Sequence, residues 1–139
     1  TVGHQLMHGH PYAQNRFQQA FDNLDKLKPI LASGDLEEFI KLVESEALTL
    51  HAMMMTSMPY FMLMKPDTLQ IINKIWAYRE ATKTPVCFTL DAGANVHLLY
   101  PEDAKEKVLE FIKDTLAEHC ENGQYIHDKV GEGAIKINT

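Results

Sequence analysis

Residues 86–100 read VCFTLDAGANVHLLY, and this stretch decides the fold. Apolar side chains alternate with smaller or polar ones on both sides of a run of small residues, 91–95. A period of two is typical of strands that bury one face, and small residues between two such strands favour a turn. The stretch therefore predicts an antiparallel β-hairpin, with Asp91 at the end of its first strand.

Three helices are predicted before the hairpin and one after it. Asp35 and Glu38 have the spacing of a capping box at the start of the second helix, while Pro66 opens the third and Pro101 the fourth. In the first helix an apolar residue recurs every three or four positions, so we expect one face to be buried. That face consists of Phe17, Ala20, Phe21, Leu24, Leu27 and Leu31.

Short strands are also predicted near the two termini, at residues 5–8 and at residues 134–137. Helices that lie between separated strands indicate an α+β fold, in which helices cover one face of a mainly antiparallel sheet. The length and the hydrophobic content of 45% suit one globular domain over residues 1–139. Because patterned sequence begins directly at Thr1, we expect the chain to be part of a longer protein.

The charges exclude some classes of partner. Lys and Arg number 13 against 19 Asp and Glu, a formal net charge of −6, and the two signs alternate along the chain. This distribution argues against nucleic acid or an anionic membrane as the main partner. The two cysteines lie far apart, and the sequence shows neither a membrane span nor a signal peptide, so a cytoplasmic location is expected.

Asp91 is the strongest candidate for chemistry. Its carboxylate directly follows an apolar strand, and the small residues after it leave room for a ligand to approach. A carboxylate held in this way can orient a substrate or act as a general base. The alternative is an aspartate that bonds its own backbone in a turn, and spacing alone does not separate the two.

Histidines provide further candidates. His51 lies beside the apolar stripe of the second helix, where its ring could donate to an anionic substrate or be satisfied by a backbone carbonyl. His4, His8 and His10 would share one side of a continuous strand, which would suit a transition metal. Because a glycine and a proline interrupt that strand and no carboxylate or thiol is close, no metal site is predicted.

Three segments together resemble diphosphomevalonate decarboxylases, which are members of the GHMP kinase superfamily. The most specific is FTLDAGANVH at residues 88–97, similar to the aspartate-bearing loop of that family. EALTLHA at 46–52 with TSMP at 56–59 resembles its helix and substrate-side turn, and VGEGA at 130–134 resembles its closing glycine motif. The segments follow the order of the family over nearly the whole chain.

The resemblance implies a ferredoxin-like carboxyl-terminal domain, with a four-stranded antiparallel sheet covered on one face by helices. An amino-terminal domain, absent from this chain, would bind most of the ATP and Mg²⁺. The implied reaction is the ATP-dependent decarboxylation of mevalonate 5-diphosphate to isopentenyl diphosphate in isoprenoid biosynthesis. This chain alone is expected to be inactive, and the resemblance also allows a homodimer.

The resemblance also assigns site residues. Asp91 matches the catalytic aspartate of the family, which would orient the 3-hydroxyl of the substrate and accept its proton. The residues expected to bind the substrate are Thr1, His51, Ser57, Gly93 and Asn95. Familiar members have methionine where His4 stands and proline where Ala94 stands, which indicates a divergent branch and leaves the exact mevalonate derivative open.

Two alternative functions stay open. One is a small-molecule kinase of the same superfamily, although such kinases take their catalytic carboxylate from the amino-terminal domain and lack this loop. The other is a non-catalytic α+β module that binds a ligand, in which Asp91 is an ordinary turn residue. A phosphate-binding loop encoded ahead of Thr1 would favour the enzyme, whereas a start codon there would favour the module.

Overall fold

Three long helices precede the hairpin in the computed structural model, which describes Gln5 and residues 7–133. Helix α1 spans Ala13–Ser33, α2 spans Leu36–Met55 and α3 spans Pro66–Thr82. The predicted signals set two of the boundaries, because the Asp35 carboxylate accepts a hydrogen bond of 3.1 Å from the Glu38 amide and Pro66 is the first residue of α3.

The hairpin is confirmed. Strands β1, Cys87–Leu90, and β2, Val96–Leu99, pair antiparallel. The predicted fourth helix is broken into short pieces, of which the α-helical one, α4, spans Lys105–Phe111. It lies between a 3₁₀ turn at Glu102–Ala104 and a π-helical turn at Ile112–Leu116, and further 3₁₀ turns follow at Ala117–His119 and Glu121–Gly123.

The hydrophobic core lies between the hairpin, α3 and α4. Because side chains alternate along a strand, Phe88 and Leu90 share one face of β1, and both belong to this core. The ring of Tyr78 stacks on Phe111 at its edge, with centroids 4.0 Å apart. The other buried members are Ala47, Ile72, Ile75, Val86, Ala104, Val108 and Leu116. An α+β fold with a small antiparallel sheet is thus confirmed.

A charged cluster on buried Glu44 joins α2 to α3 and to the start of the hairpin. The Glu44 carboxylate accepts hydrogen bonds from Trp76 Nε1 at 2.9 Å and from two nitrogens of Arg79 at 2.6 and 3.0 Å. Arg79 also donates to the carbonyl of Val86 at 2.8 Å. The bond to Glu44 raises the pKa of Arg79 further above its usual value. One carboxylate therefore fastens three segments: the middle of α2, α3 and, through Arg79, the residue directly before β1.

The thiol of Cys87 lies against the same cluster. Burial raises its pKa to about 12, and the nearby Glu44 carboxylate adds to the shift. Because the thiolate is the reactive form, we expect a thiol reagent at about pH 8 to label the half-buried Cys120 much faster than Cys87. After unfolding in urea, both should react at similar rates. Equal rates in the folded protein would contradict the burial of Cys87.

The prediction of a strand at residues 5–8 is wrong for Gln5, Met7 and His8, the residues of this range that the structure describes. The amide of His8 donates to the carbonyl of Gln5 at 3.2 Å, and the amide of His10 donates to that of Met7 at 3.3 Å. Gly9 between them has a φ of 81°, in the left-handed region that glycine adopts readily. The backbone there closes turns on itself and so does not pair with a neighbouring strand.

The prediction that the apolar face of α1 is buried is largely wrong. The helix is held to α2 by polar contacts, in which Glu46 pairs with Arg16 and accepts a hydrogen bond of 2.6 Å from Asn23. Most of the apolar stripe points away from that contact. The exposed members are Phe17, Phe21, Leu24 and Leu31, with exposed fractions of 46–67%. A helical period shows which face is apolar, but it does not show what covers that face.

The described residues contain a two-stranded sheet. The strand predicted at 134–137 lies outside them, so the four-stranded sheet stays a prediction. Among the helices that the structure describes, none combines the length and the apolar character needed to span a membrane.

Candidate functional site

The hairpin loop displays a carboxylate at the end of a buried strand. Because Leu90 pairs with Val96, the loop consists of the five residues 91–95. Leu90 is buried, whereas the side chain of Asp91 is 82% exposed. The amide of Gly93 donates to the carbonyl of Asp91 at 2.8 Å and closes a tight turn after it. This bond uses the backbone carbonyl of Asp91, so the exposed carboxylate takes no part in closing the turn.

Two buried side chains hold the backbone of this loop. His51 on α2 has Nε2 placed 3.1 Å from the carbonyl oxygen of Asp91, and Thr68 on α3 donates to the carbonyl of Ala94 at 2.8 Å. Because a carbonyl oxygen only accepts, Nε2 of His51 carries the proton of this bond. The loop that bears Asp91 is thus positioned by two helices that are distant in sequence.

Replacing His51 with leucine tests this support. Leucine fills a similar volume but cannot donate to the Asp91 carbonyl, so we expect a loss of about 1 kcal/mol in the free energy of unfolding. The measurement is urea unfolding followed by circular dichroism. Unchanged stability, together with unchanged hydrogen exchange at the Gly93 amide, would show that His51 does not hold the loop.

Two of the side chains predicted to bind the substrate are turned inward. His51 and Ser57 are each only 1% exposed. Ser57 Oγ lies 2.7 Å from the carbonyl of Met54 and 2.8 Å from that of Pro59, so its hydroxyl is used within the turn after α2. The ring of His51 is satisfied by a carbonyl, the second interpretation that its sequence position allowed. In this arrangement the polar groups of both side chains are used within the protein, and their contact with a substrate stays a prediction.

The other predicted residues lie at the loop or outside the described residues. Gly93 and Asn95 share the loop with Asp91, and Asn95 is exposed. Thr1 falls outside the described residues, as does His4. The structure thus brings together three of the six predicted site residues in one loop and places His51 behind its backbone.

His10 has a structural partner directly after α2, at Thr56. Its Nδ1 accepts a hydrogen bond from the Tyr12 amide at 3.2 Å, so in the neutral ring Nε2 carries the proton and donates to Thr56 Oγ1 at 3.0 Å. Thr56 Oγ1 in turn donates to the carbonyl of Ala52 at 2.8 Å. His10 therefore ties the start of α1 to the end of α2, whereas His8 is exposed.

The sequence patterns did not identify His97 or Thr68 as site residues. Nε2 of His97 lies 3.0 Å from Oδ2 of Asp91. The strand alternation already places His97 within reach, because it pairs with Thr89, two residues before Asp91. For Thr68 no pattern gives such a signal, since its contact with Ala94 spans 26 positions.

A family model described as the mevalonate 5-diphosphate decarboxylase C-terminal domain matches residues 6–138. The phosphomevalonate decarboxylase of Haloferax volcanii is 28% identical over 101 residues, which cover 73% of this chain and 31% of that protein.

Two solved structures are similar to this chain. That of a mevalonate diphosphate decarboxylase from Legionella pneumophila is 29% identical, with a TM-score of 0.76 over 83% of this chain and 36% of that one. The structure of the mevalonate diphosphate decarboxylase from Enterococcus faecalis is 20% identical and shares the fold. Its TM-score is 0.77, and the match covers 85% of this chain and 37% of the Enterococcus faecalis chain. The chain spans about a third of the length of these relatives. From the family match, the chain belongs to the mevalonate 5-diphosphate decarboxylase C-terminal domains.

Proposed function

We propose that this chain is the substrate-side domain of an enzyme that uses ATP to decarboxylate mevalonate 5-diphosphate to isopentenyl diphosphate, in isoprenoid biosynthesis. The observation that carries the proposal is the exposed carboxylate of Asp91, on a loop whose backbone is held by His51 and Thr68. Because these two side chains hold the loop by its backbone carbonyls, the carboxylate is presented from a defined position. Membership of the family supports the same role.

Asp91 would act on the 3-hydroxyl of the substrate. A tertiary alcohol is a weak nucleophile, and a carboxylate within hydrogen-bond reach can orient it and accept its proton as the phosphoryl group of ATP arrives. The oxygen then leaves carbon 3 as phosphate. The bond between carbons 1 and 2 breaks in the same process, so that its electrons form the new double bond and carbon dioxide departs. The fixed loop would contribute by limiting the positions that the carboxylate can adopt.

Gly93 and Asn95 are proposed to contact the substrate beside Asp91. A side-chain carbon added at Gly93 would meet no atom within 4 Å, so there is open space at this point of the loop. Asn95 is exposed, and its amide can both donate and accept hydrogen bonds. These two residues would leave room for a highly charged substrate and help to orient it.

The nucleotide is proposed to bind mainly to an amino-terminal domain. The part of each relative that matches this chain is only about a third of that relative's length, and the Enterococcus faecalis structure is described as showing ATP binding mediated by mevalonate diphosphate. In the part of the chain that the structure describes, no three His, Cys, Asp or Glu side chains are grouped so that they could hold a metal ion. Mg²⁺ is usually held by one or two carboxylates together with the phosphates of the nucleotide, so we assign it to the other domain together with ATP.

Two further implications of the family stay predictions. The complete four-stranded, ferredoxin-like sheet would need strands beyond the two described ones. A homodimer would need a second copy of the chain. Scattering and a solved structure of the natural polypeptide would test both.

Mevalonate 5-phosphate is the second candidate substrate. The Haloferax volcanii relative is a phosphomevalonate decarboxylase, and it is 28% identical over most of this chain. The chemistry at carbon 3 is the same for both substrates, so Asp91 does not distinguish them. Selection between one and two phosphate groups would depend on residues that bind the far end of the substrate.

The experiment that tests the proposal is a coupled assay of ADP formation. The natural polypeptide that contains this chain is given ATP with mevalonate, mevalonate 5-phosphate or mevalonate 5-diphosphate in turn. We expect turnover with the diphosphate or the monophosphate, accompanied by carbon dioxide. ADP without carbon dioxide would favour a kinase, and no ADP with any of the three would favour a non-catalytic module.

The 139-residue chain alone is predicted to fold but not to turn over. Its core is formed within the described residues, whereas the proposed ATP site lies mainly in another domain. Circular dichroism and the same coupled assay would check both parts. Decarboxylation by the isolated chain would contradict the division of the site between two domains.

A further inference from the structure

His97 lies against the proposed catalytic carboxylate. Its Nε2 is 3.0 Å from Oδ2 of Asp91. In the hairpin register His97 pairs with Thr89, and Asp91 follows two residues later, so the two side chains are diagonal neighbours on the same face. The strand pairing itself therefore places the ring beside the carboxylate.

The carboxylate needs such a neighbour because the other contacts fix only its backbone. His51 and the Gly93 amide both bind the carbonyl of Asp91 and leave its side-chain torsions free. With its side chain 82% exposed, the carboxylate could adopt several rotamers if no side chain restrained it. The His97 ring faces one of the two carboxylate oxygens and leaves Oδ1 for a substrate.

A contribution to the stability of the fold is a weaker explanation for the contact between His97 and Asp91 than positioning of the carboxylate. The side chains of His97 and Asp91 are 49% and 82% exposed, and exposed ion pairs contribute little to folding. The opposite face of β2 does the packing, since Val96 and Leu98 lie against the core. Replacing His97 should therefore leave the fold intact, which makes its role accessible to mutation.

We propose that His97 is a positioning residue that holds the Asp91 carboxylate, through Oδ2, in the rotamer that presents Oδ1 to the substrate hydroxyl. The effect of His97 on turnover rests on the proposed function, whereas the contact between His97 and Asp91 does not. Nε2 of His97 carries the proton directed at Oδ2. Glutamine can place an amide nitrogen near the same point, whereas leucine offers no donor.

The first test is independent of activity. In the natural polypeptide, nuclear magnetic resonance couplings across the first side-chain torsion of Asp91 report its rotamers. We expect one dominant rotamer in the wild type and in His97→Gln, and averaging in His97→Leu. Averaging in the wild type, or one unchanged rotamer in His97→Leu, would overturn the inference even if the protein proved to be no decarboxylase.

The second test measures turnover. We expect His97→Leu to lower kcat by about 10- to 100-fold, because the base is no longer aligned, with KM changed by less than about twofold. His97→Gln should recover most of kcat, and in an Asp91→Asn background His97→Leu should cause no further loss. Wild-type kcat in His97→Leu, or an undiminished loss in the Asp91→Asn background, would contradict positioning. An inactive wild type would instead count against the proposed function, and the rotamer measurement would still decide the role of His97.

Discussion

Asp91→Asn in the natural polypeptide is expected to lower kcat by about a thousandfold while leaving the fold unchanged. The amide has the same shape as the carboxylate but cannot accept the proton of the substrate hydroxyl. Because the Asp91 side chain is largely exposed and its backbone is held by other residues, the substitution removes no packing contact. Steady-state kinetics and thermal unfolding of the same preparation would measure both effects.

A matched control separates the role of Asp91 from a general effect of charge. Asp103 is also exposed, at the turn after the hairpin, and Asp103→Asn removes the same charge at a distance from the loop. We expect this variant to keep wild-type kcat. Similar losses in the two variants, or near-normal activity of Asp91→Asn, would return Asp91 to the role of an ordinary turn residue.

Glu44→Ala is expected to cause the largest loss of stability, about 3 kcal/mol in the free energy of unfolding. The change removes the shared acceptor of Trp76 and Arg79 and leaves a partly buried guanidinium without its carboxylate. The side chains of Glu44 and Arg79 are only 10% and 26% exposed, so water replaces the lost bonds incompletely. Urea unfolding followed by circular dichroism gives the free energy directly.

Glu37→Ala on the same helix is the control for this loss. Glu37 also pairs with a cation, Lys41, at 2.8 Å, but the two side chains are 81% and 59% exposed. Exposed pairs contribute little, so this variant should remain close to the wild type. If both variants lose the same small amount, Glu44 does not fasten α2 to α3.

Local patterns were enough to predict the hairpin. The alternation on both sides of the loop and the small residues within it belong to one short stretch, so no distant contact was needed. The N-cap at Asp35 and the start of α3 at Pro66 are local in the same sense. Asp91 could be singled out as a candidate for this reason, because both its position and its small neighbours are features of the hairpin, but the spacing did not separate a catalytic aspartate from an ordinary turn residue.

Contacts between distant elements could not be predicted in the same way. The period of α1 correctly identified an apolar face, but the expectation that Phe21 and Leu24 were buried depended on a partner that the pattern does not specify. His51 could have faced either a ligand or a carbonyl until α2 was placed beside β1. Thr68 depends on the same kind of distant contact. His97 differs, because the register of the hairpin already placed it near Asp91.

The most direct test of the central claim is the release of carbon dioxide from carboxyl-labelled substrate in a single turnover of the natural polypeptide. The wild type should release one carbon dioxide for each ADP formed. The Asp91→Asn variant, mixed with the same ATP and substrate, should form neither product on that timescale. Carbon dioxide release by Asp91→Asn at the wild-type rate, or ADP formation by the wild type without carbon dioxide, would contradict the account.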